Sequence, residues 1–252
     1  MNPAPSRYWR LLRRLLAALA LAAGLFAPGS SAVASALRVT PIRIELQPDK
    51  RFCALTLAND GDLPVSVQVR GFRWSRGEQG EDLLEPVAGF LINPTIVTLA
   101  GQETRLIRCS LPAAEGPAEQ TWRLLFDELA TPDTPVGPGE IRTLLRISVP
   151  IFRAPRGAEP ALDWTVRHDP GGGIVAVIVN RGQRHVRALS ISMTATSGET
   201  VRLDRGGYIL AGGRLAFPLP PSFPVSIAEL RLQTDEGNLI PTRLAEATGT
   251  GQ

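Results

Sequence analysis

A nucleophile beside a base, a pair of facing carboxylates or a metal cluster would announce an enzyme, and this chain offers little of any. Its histidines are two, His168 and His185, and both lie beside turn residues. No G-x-S-x-G nucleophile elbow occurs. The acidic run "EQGED" (Glu78–Asp82) sits between strand signals, where a solvated loop is the ordinary reading. The cysteines, Cys53 and Cys109, have no further ligands near them in sequence, which argues against a metal site. The reading is of a protein that is not an enzyme, with no cofactor, no metal and no small-molecule substrate. The stretch that invites a chemical role is "EIRTLLRISVPIFRAP" (Glu140–Pro155). Ile141, Thr143, Leu145, Ile147 and Val149 form one nearly apolar row, Arg142, Arg146 and Ser148 occupy the other face, and Pro150 removes a ladder donor. An apolar row on a strand with a proline is the pattern of a sheet edge that pairs with something else.

The elements that would position this strand come after a leader. "RYWRLLRR" is a positive n-region, "LLAALALAAGLF" an apolar run of about a dozen residues, and "AVASA" supplies small-residue cleavage positions. Residues 1–36 therefore read as a secretory signal peptide, too short to span a bilayer. The pair Arg13-Arg14 sits in surroundings that favour general secretion over twin-arginine export. Four arginines leave with the leader, so 23 basic residues face 24 acidic ones in the remainder. The apparent basicity is the export address, and nothing points to nucleic acid. The remaining chain of about 216 residues exceeds a usual single domain, so two are expected.

Helical periodicity is scarce after the leader. Short alternating runs divided by Gly, Pro, Asn and Asp recur: "LRVTPIRIEL", "FCALTLAND", "VSVQVRGFRW", "TRLIRCSL", "TWRLLFDEL" and "IRTLLRISVPIF". After "RAPRGAEP" the pattern restarts with "LDWTVRH", "GIVAVIVN", "RALSISMTA", "ETVRLD", "RLAFPL" and "IAELRLQTD". This spacing predicts an all-β protein of two immunoglobulin-like β-sandwich domains, residues 37–156 and 157–252, joined by a short hinge. "ATPDTPVGPGE" (Ala130–Glu140) reads as a loop, and "DPGGG" (Asp169–Gly173) as a hairpin turn without the Lys-Ser/Thr of a phosphate loop. Cys53 alternates with Leu55 and Leu57, and Cys109 with Ile107 and Leu111, so both face inward. In an oxidising compartment a buried inter-strand disulfide is the expected state, two free buried thiols being the alternative.

In order along the chain, several segments resemble the PapD-like periplasmic pilus chaperones of chaperone–usher systems. "VTPIRIEL" resembles the family's first strand, with Arg43 at its basic cleft position. "LTLANDGDLPVSVQV" resembles its Asn-containing turn and Leu-Pro corner at Asn59, Leu63 and Pro64, and "INPTIVTLAGQETRLIR" its Gly-Gln segment ending at Arg108. "TWRLLFDEL", with Glu128, and "ISVPIFRAP" resemble the last strands of the first domain; "VIVNRGQRHVRAL", at Asn180, and "YILAGGRLAF" echo the second. One departure stands out. Better-known members carry a lysine where this chain has Pro150, and with the cleft arginine it grips the pilin's C-terminal carboxylate. That difference resembles the archaic or spore-coat-type branch. Arg123, on the neighbouring strand, is the first candidate substitute for that lysine, and Arg146, on the same strand face as Pro150, the second.

The resemblance implies a periplasmic chaperone that forms a one-to-one complex with a pilin subunit and delivers it to an outer-membrane usher. Such a subunit is a sandwich lacking its last strand, and a lent edge strand supplies backbone bonds and side chains to fill the groove. Ile141, Thr143, Leu145, Ile147 and Val149 recur every second residue, ~6.6–6.8 Å apart by strand rise. Burying four aliphatic side chains would contribute about 6–10 kcal/mol before ordering costs. The alternative is that this row faces its own core. A second reading of the whole chain, a secreted adhesion or carbohydrate-binding sandwich, would expose aromatics on loops. Trp74, Trp122 and Trp164 lie instead within strand patterns.

Overall fold

The computed structural model describes residues 36–77, 80–114, 116–130, 143–168, 173–224 and 226–243. The leader, most of the Ala130–Glu140 loop, Ile141 and most of the Asp169–Gly173 turn lie outside the described residues. The first group of strands is β1 (Leu37–Thr40), β2 (Ile44–Leu46), β3 (Phe52–Asn59), β4 (Val65–Arg76), β5 (Asp82–Glu85), β6 (Leu91–Asn93), β7 (Ile96–Leu99), β8 (Thr104–Ser110), β9 (Gln120–Glu128) and β10 (Arg146–Arg153). The second is β11 (Leu162–His168), β12 (Ile174–Asn180), β13 (Val186–Ala195), β14 (Thr200–Leu203), β15 (Gly207–Ile209), β16 (Arg214–Pro218), β17 (Ile227–Thr234), β18 (Gly237–Leu239) and β19 (Thr242–Arg243). Each group packs two sheets face to face: β1-β3-β8-β6 on β2-β10-β9-β4, with β5 and β7 on β4's outer edge, and β16-β12-β11-β19 on β14-β13-β17-β18, with β15 on β13. Both sandwiches lie within one compact unit, Ser35–Gln252.

The strand run "LRVTPIRIEL" does not stay in one sheet. Its first half, β1, pairs antiparallel with β3, and its second, β2, pairs parallel with β10 in the opposite sheet. The switch falls at Pro41, which has no N–H to continue the first ladder.

Alternation sets the cores. In β3 and β8, Cys53, Leu55, Leu57, Ile107 and Cys109 point inward with Trp122, Leu124 and Phe126 of β9 and Val149 and Ile151 of β10. Cys53 and Cys109 are direct cross-strand partners, their Cα atoms 4.9 Å apart, and form a disulfide inside this core. The second core gathers separately around Trp164, Ile178, Ile191, Met193 and Phe217.

One polar device recurs in both sandwiches. Asn59 is buried at the end of β3; its amide donates to the carbonyls of Leu63 at 2.8 Å and Ala100 at 2.9 Å, and its Oδ1 accepts from Gly61 N. Asn180, buried at the end of β12, donates to Arg184 O and Ile209 O and accepts from Ala161 N and Gly182 N. A single amide thus satisfies backbone groups of several crossing loops, which is why a buried polar residue is tolerated there. The neighbouring Gly101-Gln102 pair has a similar rationale. A Cβ on Gly101 would lie 2.3 Å from Asp62 O, and Gln102 takes φ 62° while its amide donates to Asp60 O at 2.9 Å.

Candidate binding edge and cleft

β10 pairs antiparallel with β9 from Arg146 to Arg153, whereas on its other side β2 covers Ile151–Arg153 alone. Among the described residues, then, Arg146 to Pro150 form an open edge. Glu128 N donates to Leu145 O at 2.9 Å, and antiparallel backbone groups alternate in direction. Odd-numbered backbone groups therefore face β9, and those of Arg146, Ser148 and Pro150 face outward. Pro150's missing N–H falls on that open side, where it leaves the β9 ladder intact.

The apolar row divides along its length. Val149 is 1% exposed in the chain's own core, and Ile147 packs against that core. Leu145 is half-buried at the rim, where its N–H reaches the carboxylate of Glu128 at 3.1 Å, and Thr143 is exposed. Odd-numbered side chains of β10 face into the sandwich, so the row leaves the core only in the residues that precede β10, Thr143 and Leu145 among the described ones. Val149 is thereby a core residue of its own domain, and Ile141 lies outside the described residues.

The even-numbered face of β10 turns toward the junction of the two sandwiches. At its floor Trp74, Phe152 and Leu210 are buried against Tyr208 and Leu84. His185 stacks on Phe152 with ring centroids 3.6 Å apart and meets Glu119 through Nδ1 at 2.9 Å. Arg76 donates to Tyr208 O at 2.8 Å. His185, noted in the sequence only for standing beside a turn, thus fastens one sandwich to the other.

Above this floor the register sets three residues abreast. β2 aligns Ile44 with Ile151, so Arg43 falls beside Pro150, whose partner on β9 is Arg123. The two arginine Cα atoms are separated by about two strand spacings, ~10 Å. Arg43 is held by Glu45 and by Asp235 of the second sandwich. Burial works against its charge, but these carboxylates outweigh it and raise its pKa. Arg123 lies over the ring of Trp74, 3.8 Å from its centroid, and reaches Asp82 at 3.3 Å. Asp82 is shared with Arg76 and with the indole N–H of Trp74. Burial lowers the Arg123 pKa, Asp82 offsets this in part, and Arg76 adds repulsion. Its Nε is buried without a hydrogen-bond partner. Arg123 is thus a largely buried cation that shares its carboxylate, Asp82, with Arg76 and donates to Ser148 Oγ at 3.2 Å.

Arg146 does not join this pair. It stands four residues up the strand, ~13 Å from Pro150, is 62% exposed on its side chain, and bonds Asp127 together with Arg70. The sequence reading missed the residues that frame the arginines: Trp74, Asp82, Asp235 and the His185–Glu119 contact. The turn "TDEG" between two strand patterns is the one signal that could have brought Asp235 forward.

Comparison with known proteins accords with this geometry. Residues 36–159 match the family described as pili and flagellar-assembly chaperone, PapD N-terminal domain. No curated protein sequence matches the chain. Among solved structures, the chaperone–tip adhesion subunit pre-assembly complex CsuC–CsuE from archaic chaperone–usher Csu pili of Acinetobacter baumannii contains a chain 20% identical, with TM-score 0.67 over 83% of this chain and 99% of that one. The E. coli chaperone DraB is 19% identical, with TM-score 0.54 over 82% and 96%. The Salmonella enterica SafA pilin–SafB chaperone complex gives 13% identity and TM-score 0.57 over 83% and 98%. At these identities the structural likeness speaks for the fold, two immunoglobulin-like sandwiches in tandem. The first sandwich thus belongs to the family of PapD N-terminal domains of pili and flagellar-assembly chaperones, and both sandwiches share the fold of the solved pilus chaperones.

Proposed function

We propose that this chain is a periplasmic chaperone that captures pilin subunits one to one on the open edge of β10 and hands them to an outer-membrane usher. The observation that carries this reading is the half-covered β10: paired with β9 throughout, capped by β2 at Ile151–Arg153, and open from Arg146 to Pro150. A subunit strand added here lies in line with β2. Running parallel to β10, as β2 does, it ends beside Arg43 and Pro150, so its terminal carboxylate arrives between Arg43 and Arg123. Arg123, on the next strand, then takes the part of the missing lysine, and a guanidinium offers two parallel donors to a carboxylate. The lent side chains are Leu145, Thr143 and Ile141, with Ile147 at the boundary of the chain's own core. Residues 1–36 serve as the export signal, and the domains span 37–156 and 157–252.

Trp74, Trp122 and Trp164 are buried and offer no platform for a sugar. The test is co-expression with the pilin subunit encoded nearest to this chain's gene, followed by size-exclusion chromatography. A one-to-one complex, lost when Leu145 is made Asp, is the expected result; a monomer that ignores the pilin would overturn the proposal.

A further inference from the structure

Arg43 is already occupied by carboxylates from two sources. Glu45 sits two residues along the chain, in β2, contacts Nε at 3.1 Å and also meets Arg184 at 3.5 Å. Asp235 comes from the other sandwich and bonds Nη1. A guanidinium has two edges that can take a carboxylate in bidentate fashion. With one contacted at Nε and the other at Nη1, a third carboxylate gains a bidentate grip only by displacing one occupant. Asp235 is the displaceable one, because Glu45 is tied to β2 itself and shares Arg184.

Asp235 is also held out by its own turn. Asp235 and Glu236 are the two residues between β17 and β18, where Thr234 pairs with Gly237 and Gly237 takes φ 129°. Thr234 Oγ1 donates to Gly237 O at 2.7 Å and accepts from Glu236 N. The hairpin tip therefore keeps its shape whether or not Arg43 is bound, and Glu236 reaches Arg184 from the same tip. The Arg43 and Asp235 side chains keep 28% and 22% of their exposure, so water and an incoming anion can reach the pair.

We propose that Asp235 is an internal occupant of the carboxylate seat, a side chain lent by the second sandwich that a client's terminal carboxylate must displace from Arg43. This rests on the reading of Arg43 and Arg123 as the carboxylate anchor, and adds a competitor to it. Client capture then releases one ion pair between the sandwiches, and a client without a free terminal carboxylate leaves the pair in place.

The test uses the full chain after leader removal and two synthetic peptides of alternating valine and threonine with two N-terminal lysines, one ending in a free carboxylate and one amidated. Binding is followed by titration calorimetry for the wild-type protein, Asp235→Asn, Asp235→Ala and Arg123→Gln, each checked by thermal melting. An exposed ion pair is weak, so removing the competitor is expected to tighten binding of the carboxylate peptide by about two- to fivefold and to leave the amidated peptide unchanged. Asp235→Ala should reproduce the gain. Equal or weaker carboxylate binding by both Asp235 variants, with wild-type preference for the carboxylate intact, overturns the competitor and spares the anchor. Loss of any preference for the carboxylate in the wild-type protein, or indifference to Arg123→Gln, overturns the anchor reading and the competitor with it.

Discussion

Replacing Leu145 with Asp should abolish client capture while leaving the chaperone folded. Leu145 stands at the rim of the first sandwich, half-buried and outside its main core, whereas Val149 four residues on is fully inside. If a client groove covers Leu145, the substitution forfeits about 1.5–3 kcal/mol of apolar burial. It also buries an unpartnered polar group, costing on the order of a further 1–3 kcal/mol. The sum, about 2.5–6 kcal/mol, corresponds to a loss of roughly two to four orders of magnitude in affinity. The assay is recovery of the co-expressed pilin on the tagged chaperone, with circular dichroism and thermal melting of the variant alone. Val149→Ala is the matched control. It empties part of the chaperone's own core at a cost of about 2–3 kcal/mol, a melting drop of roughly 5–10 °C for a chain of this size, while clients still bind below the transition. Wild-type recovery of pilin on folded Leu145→Asp would refute the lent-strand reasoning, and the same defect in both variants would refute the division of the row.

Three further outcomes follow from particular contacts. Substituting Ser at both Cys53 and Cys109 opens a loop spanning 56 positions of sequence, and the chain-entropy relation gives a loss of about 4 kcal/mol, measurable by urea denaturation with and without reductant. Asn59→Ala and Asn180→Ala each strand several buried backbone groups and should cost about 2–3 kcal/mol apiece in the same assay. Burial alone would raise the Asp127 pKa, but hydrogen bonds from Arg146 and Arg70 hold it below the usual carboxylate value. A carboxylate with a depressed folded pKa contributes stability that is complete above its unfolded pKa, about 3.9, and lost as pH falls through the folded value. Stability should therefore decline as pH drops below about 4, and Asp127→Asn should flatten that decline in melts taken across the acid range; an unchanged acid slope would show that the Arg70–Asp127–Arg146 contacts do not form in solution.

By itself the sequence determined the local features. Period-two alternation with turn residues between the runs dictated strands and the absence of helical patterning, since a pleated strand buries every second side chain whatever lies beyond it. Cys53 and Cys109 read as inward-facing for that reason, and the segments around Asn59 and the Gly101-Gln102 pair pointed to the family. What depends on register and on sheet order was not legible. The run from Leu37 to Leu46 reads as one strand, yet Pro41 sends its halves to opposite sheets. The row from Ile141 to Val149 reads as uniform, yet it leaves its own core only near the end of β9 at Glu128, Val149 being buried beyond the reach of β2. In sequence Arg43 stands at the resemblance's cleft position, with Arg123 and then Arg146 ranked as substitutes for the missing lysine. Only tertiary pairing puts Arg43 and Arg123 on either side of Pro150, fastens Arg146 to Asp127, and brings Asp235 across from the second sandwich. Alternation is a property of one strand, but which strands are neighbours is settled by how two sheets bury their faces together, and the charge around each arginine follows from that choice.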